Sequence, residues 1–113
     1  CVVAVGHIYT GLFSNNEDLA SDILAAGKRS LDPAWQLPVD EEYGASLRSN
    51  FADFANSGVR DGGASIAAQF LSRFVEDTPW AHLDIAGIAW KSSRDKGATG
   101  RPVPLLTDFL LNL

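Results

Sequence analysis

The chain has 113 residues, 46% apolar and 20% charged, with a formal net charge of −5. That is enough for one domain with one core, and it excludes a disordered chain. No apolar run approaches the ~18–20 residues that span a bilayer, and the nine basic residues form no stripe, which argues against nucleic-acid binding through this segment.

The run CVVAVG, residues 1–6, is continuously apolar and β-branched, and it predicts a strand covered on both faces and ended by Gly6. Its single cysteine, Cys1, allows no internal disulfide and reads as a buried, inert thiol. The N-terminus carries no basic segment ahead of this run, so no signal peptide is expected. The chain contains no methionine, opens in an apolar strand and stops in FLLNL. Together these point to a piece cut at both ends from something larger.

SNNEDLASDILAAGKRS, residues 14–30, predicts a helix. Ser14 and Glu17 have capping-box spacing. Leu19, Ile23 and Ala26 form an apolar face, and Gly27, Lys28 and Arg29 are stop signals. Pro33 and Pro38 then bracket an extended segment centred on Trp35. Asp40 reads as the N-cap of a short helix with Tyr43 and Leu47 on one face. NSGVRDGG, residues 56–63, is a loop leading into a strong helix over residues 64–77, with Ile66, Ala67, Phe70, Leu71 and Phe74 in one stripe.

WAHLDIAGIAW, residues 80–90, alternates along its length and predicts a second strand, in a helix–strand order that resembles a crossover unit. KSSRDKGATG is a polar loop. PVPLLTDFLLNL is a helix with prolines in its first turn and Leu105, Leu106, Phe109 and Leu110 on its apolar face.

His82 and Asp84 offer the most inviting chemistry. On a strand, residues i and i+2 are roughly 6–7 Å apart. They could share an ion, but a metal site needs further donors, and neither His7 nor Glu76 is placed to help. The plainer reading has each held by hydrogen bonds, to the other or to nearby backbone. HExxH, CxxC and GxSxG patterns are absent, and a triad of Ser14, His82 and Asp84 would be arbitrary. GVRDGGAS before a helix and GATGRP with its Arg101 resemble anion-binding turns but match no phosphate fingerprint. The residues by themselves describe a soluble α/β domain without a self-contained active site.

The blocks GHIYTGLFSNN, AWQLPVDEEY, SNFADFANSGVRDGG, FLSRF, WAHLDIAGIAW and KGATGRPVPLL, in this order and spacing, resemble the leucyl aminopeptidases, or cytosol aminopeptidases, over nearly the whole chain. The resemblance implies that residues 1–113 are the C-terminal part of a catalytic domain. That domain would be α/β, with a mixed β-sheet sandwiched between helices in a two-metal, phosphorylase/hydrolase-like architecture. It implies a cytoplasmic homo-hexamer that releases N-terminal amino acids, preferably leucine, from peptides with two divalent ions, zinc or manganese. The metal-ligand and catalytic motifs of the family have no counterpart here, so no catalytic residue and no metal ligand is assigned. The rest of the catalytic domain becomes a necessary partner, and the chain alone is expected to be inactive. An alternative is a non-catalytic interaction or DNA-binding architectural role for the parent hexamer.

One function does carry over. In the family, the alanine of DIAG and the residue three positions on line the pocket for the substrate's first side chain. Here these are Ala86 and Ala89, small residues that leave room for a leucine-sized group. On a straight strand they would face opposite ways, so both can line one pocket only if the chain turns near Gly87, which joins them as a substrate-binding residue. Phe54 and Ile88 stand where the family more often has methionine and threonine.

Overall fold

The computed structural model describes residues 5–39, 63–75, 77–91 and 97–113. In chain order these form β1 (Thr10–Ser14), α1 (Glu17–Arg29), β2 (Ala34–Gln36), α2 (Gly63–Ser72), β3 (Ala81–Asp84), β4 (Trp90–Lys91), β5 (Gly97–Ala98) and α3 (Val103–Leu111). The architecture is mixed α/β. A three-stranded sheet has the order β2-β1-β3, with β1 parallel to β2 and antiparallel to β3; β4 and β5 pair separately as an antiparallel ribbon.

The first strand differs from expectation. Residues 1–4 lie outside the described residues, but Val5 is helical and Gly6 turns with φ +64°, so no strand reaches Gly6. The central strand is instead TGLFS, with Thr10, Gly11, Leu12 and Phe13 all buried. A strand buried on both faces shows no alternation, and this one runs straight into turn-like asparagines, so its pattern is weak. Two parallel neighbours need a crossover, and α1 supplies it between β1 and β2. The expected crossover into residues 80–90 does not form, because β3 runs antiparallel to β1.

Asn16 starts α1. It is extended (φ −135°, ψ 119°) and its side-chain oxygen accepts from Leu19 N at 2.9 Å. The expected Ser14–Glu17 capping box is therefore corrected: Ser14 is the last residue of β1. Its hydroxyl accepts from Asn16 N at 3.1 Å and donates to Trp80 O at 2.7 Å. Asn15 grips the same approach to β3, donating to Thr78 O and accepting from Trp80 N, each at 2.9 Å. Glu17 and Asp18 in the first turn and Lys28 and Arg29 in the last complement the helix dipole.

The buried face of α1 lies on the Leu12 side of the sheet. Leu12, Ala20, Ile23, Ala34 and Leu105 form the core, with Leu19, Leu24, Ala81, Leu83 and Phe109 packed around it. Cross-strand register explains the sheet's share, since Leu12 pairs with Leu83 and Ser14 with Ala81 on one face. Burying a side chain such as Leu12 contributes about 1.5–3 kcal/mol. The other face carries Phe13, fully buried, opposite His82.

Helix α3 covers α1 from outside through Leu105 and Phe109, whereas Leu106 and Leu110, expected on the same face, are exposed. Arg29 and Asp108 pair across the two helices at 2.7 Å. With Arg29 half exposed, the pair contributes about 0–1 kcal/mol. The helix expected over residues 64–77 is α2, beginning at Gly63 and ending at Ser72; the remainder turns back through Arg73–Val75. The helix expected after Asp40, the loop at 56–62 with its anion-binding reading, and Phe54 lie outside the described residues. Among the described residues no helix is long and apolar enough to cross a membrane.

Candidate functional site

WAHLDIAGIAW is not one strand. Alternation ends at Asp84, whose carboxylate oxygen accepts from the backbone N–H of Ala86 at 3.0 Å. Such a side-chain bond two residues on starts a turn in place of continued extension. Ile85 O then accepts from both Ile88 N (3.1 Å) and Ala89 N (3.0 Å), closing one helical turn before β4 resumes at Trp90. In a helical turn, residues three apart lie on the same side. Ala86 and Ala89 therefore no longer stand on a straight strand. Ala86 is exposed, Ala89 half-buried, and Gly87 and Ile88 are buried.

The turn is held by three hydrogen bonds from two segments. The Nδ1 of His7 lies 2.8 Å from Gly87 O, and since a carbonyl only accepts, this nitrogen carries the proton. The Thr99 hydroxyl donates to Ile88 O at 2.5 Å, and the Thr99 amide donates to Ala89 O at 3.0 Å. Three successive carbonyls thus receive donors from the GHIYTG and GATGRP segments. Beside the turn is a cleft of about 470 Å³, bordered by Gly87, His7, Trp90, Lys91, Thr99 and Arg101. Gly87 reaches this cleft, but Ala86 and Ala89 do not line it.

His82 and Asp84 do not serve each other. His82 lies against Phe13 with ring centroids 5.7 Å apart, and Asp84 serves the turn. Register explains the split, because β1 places Phe13 opposite His82 and Gly11 opposite Asp84.

Arg101 also has a different task from the anion-binding one that GATGRP suggested. Its Nε donates to Asp32 at 2.5 Å, and a terminal nitrogen donates to Ile8 O at 2.7 Å and Pro33 O at 3.4 Å. Asp32 is 2% exposed. Its second carboxylate oxygen accepts from Leu105 N at 3.2 Å, one of the otherwise orphaned donors in the first turn of α3. Asp32 therefore caps a helix through a residue 73 positions away in sequence and neutralises the guanidinium beside it. Sequence reasoning missed it. LDP precedes the extended segment, and nothing in it marks a distant arginine.

Among the described residues no three of His, Cys, Asp and Glu converge as a possible metal site. No metal ligand is assigned to the described residues, and no chemical step is routed through the two-ion centre that the resemblance implies.

The model of the cytosol aminopeptidase family, catalytic domain, matches residues 1–107. Similar proteins include the probable cytosol aminopeptidase of Thioalkalivibrio sulfidiphilus (strain HL-EbGR7), 61% identical over 112 residues, covering 99% of this chain and 23% of that protein. That of Polaromonas naphthalenivorans (strain CJ2) is 62% identical over 111 residues, covering 98% and 22%. That of Bordetella avium (strain 197N) is 61% identical over 112 residues, covering 99% and 22%. The chain thus spans under a quarter of the length of these curated relatives.

Proposed function

This chain belongs to the cytosol aminopeptidase family, within its catalytic domain, and from that premise we propose that the protein containing it is a metal-dependent aminopeptidase. It releases N-terminal residues, leucine preferred, from peptides. Residues 1–113 act as the C-terminal portion of the catalytic domain. They supply sheet, covering helices and one wall of the pocket for the substrate's first side chain, formed by Ala86, Gly87 and Ala89.

The 85–89 turn carries this reading. Its bonds from Ile88 N and Ala89 N to Ile85 O, and from Ala86 N to the Asp84 carboxylate, support a bend at Gly87 of the kind two methyl-sized side chains need to share one wall. Small residues there leave space for a branched aliphatic group, and Gly87 lets backbone approach closely. Burial of the Gly87 and Ile88 backbone gives the wall a fixed position, which selection by size needs.

Two divalent ions, zinc or manganese, would supply Lewis-acid chemistry for this reaction class. In the proposed enzyme they are held by the rest of the catalytic domain. The enzyme is further proposed to be a cytoplasmic homo-hexamer acting on peptides.

The full-length protein is expected to hydrolyse leucine p-nitroanilide, to lose that activity to a chelator, and to regain it with zinc or manganese. Residues 1–113 expressed alone are expected to show neither turnover nor stoichiometric metal. Absence of turnover by the metal-loaded full-length protein, or turnover by residues 1–113 above a metal-only control, contradicts the reading.

A further inference from the structure

The bonds that hold the 85–89 turn come from residues to which no role has been given. Gly87 and Ile88 are buried residues, and their carbonyls, at the edge of the cleft, are paired with protein donors. His7 supplies one, at 2.8 Å to Gly87 O. Thr99 supplies the next two, its hydroxyl to Ile88 O at 2.5 Å and its amide to Ala89 O at 3.0 Å. The same hydroxyl accepts from Arg101 N at 3.2 Å, and Arg101 is anchored on buried Asp32. A continuous chain of polar contacts thus runs from the core of the fold to the turn that bears Ala86 and Ala89.

We infer that Thr99 and His7 are specificity-determining positioning residues. They hold the 85–89 turn at the distance that sets the width of the pocket for the substrate's first side chain. The inference rests on the reading of Ala86 and Ala89 as a pocket wall. Neither residue needs to touch substrate. Removing the Thr99 hydroxyl leaves the Ile88 carbonyl without its protein donor, and the turn shifts to find another. A displacement well under 1 Å at a pocket wall is enough to change discrimination between side chains that differ by a few methyl groups.

The test uses the full-length enzyme and the ratio of kcat/KM for leucine p-nitroanilide to that for alanine p-nitroanilide. Thr99→Val keeps the shape and deletes the hydroxyl; Thr99→Ser keeps the hydroxyl. Thr99→Val is expected to change the ratio by about fivefold or more, carried mainly by KM for the leucine substrate, and Thr99→Ser to restore it. His7→Ala is expected to change it in the same direction. Its ring is exposed, so this variant carries the test if Thr99→Val does not fold. Ala86→Leu reports on the wall directly. If it changes the ratio while Thr99→Val and His7→Ala scale both substrates equally or leave them unchanged, the positioning role is wrong and the pocket reading stands. If Ala86→Leu itself leaves the ratio unchanged, the pocket reading fails and takes this inference with it.

Discussion

Asp32→Ala is expected to destabilise the protein by about 3–5 kcal/mol, the largest stability loss of any substitution considered. Its carboxylate is 2% exposed and divided between two partners, the Arg101 guanidinium and the Leu105 amide. Alanine strands both. Arg101 is left as a largely buried cation with carbonyl partners only, and the first turn of α3 loses an acceptor that lies outside the helix. Because α3 closes the core over α1 through Leu105, the loss spreads from the ion pair into the packing. Denaturant unfolding of the full-length protein measures the loss. Amide exchange at Leu105 shows whether it starts where expected. Asp32→Ala combined with Arg101→Met removes the stranded charge as well and is expected to recover part of the stability. Losses that simply add would mean that the two side chains do not act as a pair.

Gly27→Ala is expected to cost about 1–3 kcal/mol, against the usual rule that alanine in place of glycine within a helix gains about 0.5–1 kcal/mol. A methyl group at position 27 would lie 2.9 Å from Asp32 O, 3.2 Å from a Leu105 methyl and 3.3 Å from Ala34 N. Two of these three neighbours are backbone, and the nearest cannot easily withdraw. Asp32 N donates to Gly27 O at 2.9 Å, and the Asp32 side chain is tied to Arg101. The chain reverses here through Leu31, in the left-handed region at φ 56°, and the absence of a side chain at Gly27 lets it pass close to the helix. A shift in unfolding midpoint decides the sign. A stabilised Gly27→Ala protein would show that α1 and the start of β2 have room to separate.

These two positions also show what sequence can and cannot disclose. Helix α1 was legible because its apolar residues repeat with the helical period, and Ile23 and Ala26 are buried as that period requires. The extended run at Trp35 was legible because prolines at 33 and 38 bound it, and it became β2. Gly27 read only as a stop signal. Its close approach to Asp32 comes from the reversal at Leu31, and the Leu105 methyl beside it arrives from a helix that no local pattern at Gly27 records. The Asp32–Arg101 pair joins residues 69 apart, and neither carries a motif for the other.

Residues 80–90 are the instructive case. Their alternation persists past Asp84 on paper, because Ile85, Gly87 and Ala89 continue the period. The chain nonetheless turns, because the Asp84 carboxylate captures Ala86 N and the Ile85 carbonyl captures two amides. Asp84 itself was the available signal, since aspartate favours turns by this mechanism, and Gly87 was the second. The polar pair that looks catalytic in the sequence is divided between two local contacts. Asp84 shapes the turn, and His82 rests on Phe13. The family resemblance supplied what periodicity could not, the expectation that the plain residues after Asp84 face a substrate.

That expectation is tested most directly by Ala86→Leu in the full-length enzyme. Ala86 is exposed at the turn, so a longer side chain there does not disturb the core of this segment. Steady-state kcat/KM is compared for leucine and alanine p-nitroanilides. A filled pocket wall predicts that the leucine substrate loses at least about tenfold relative to the alanine substrate. An unchanged ratio of the two would contradict it.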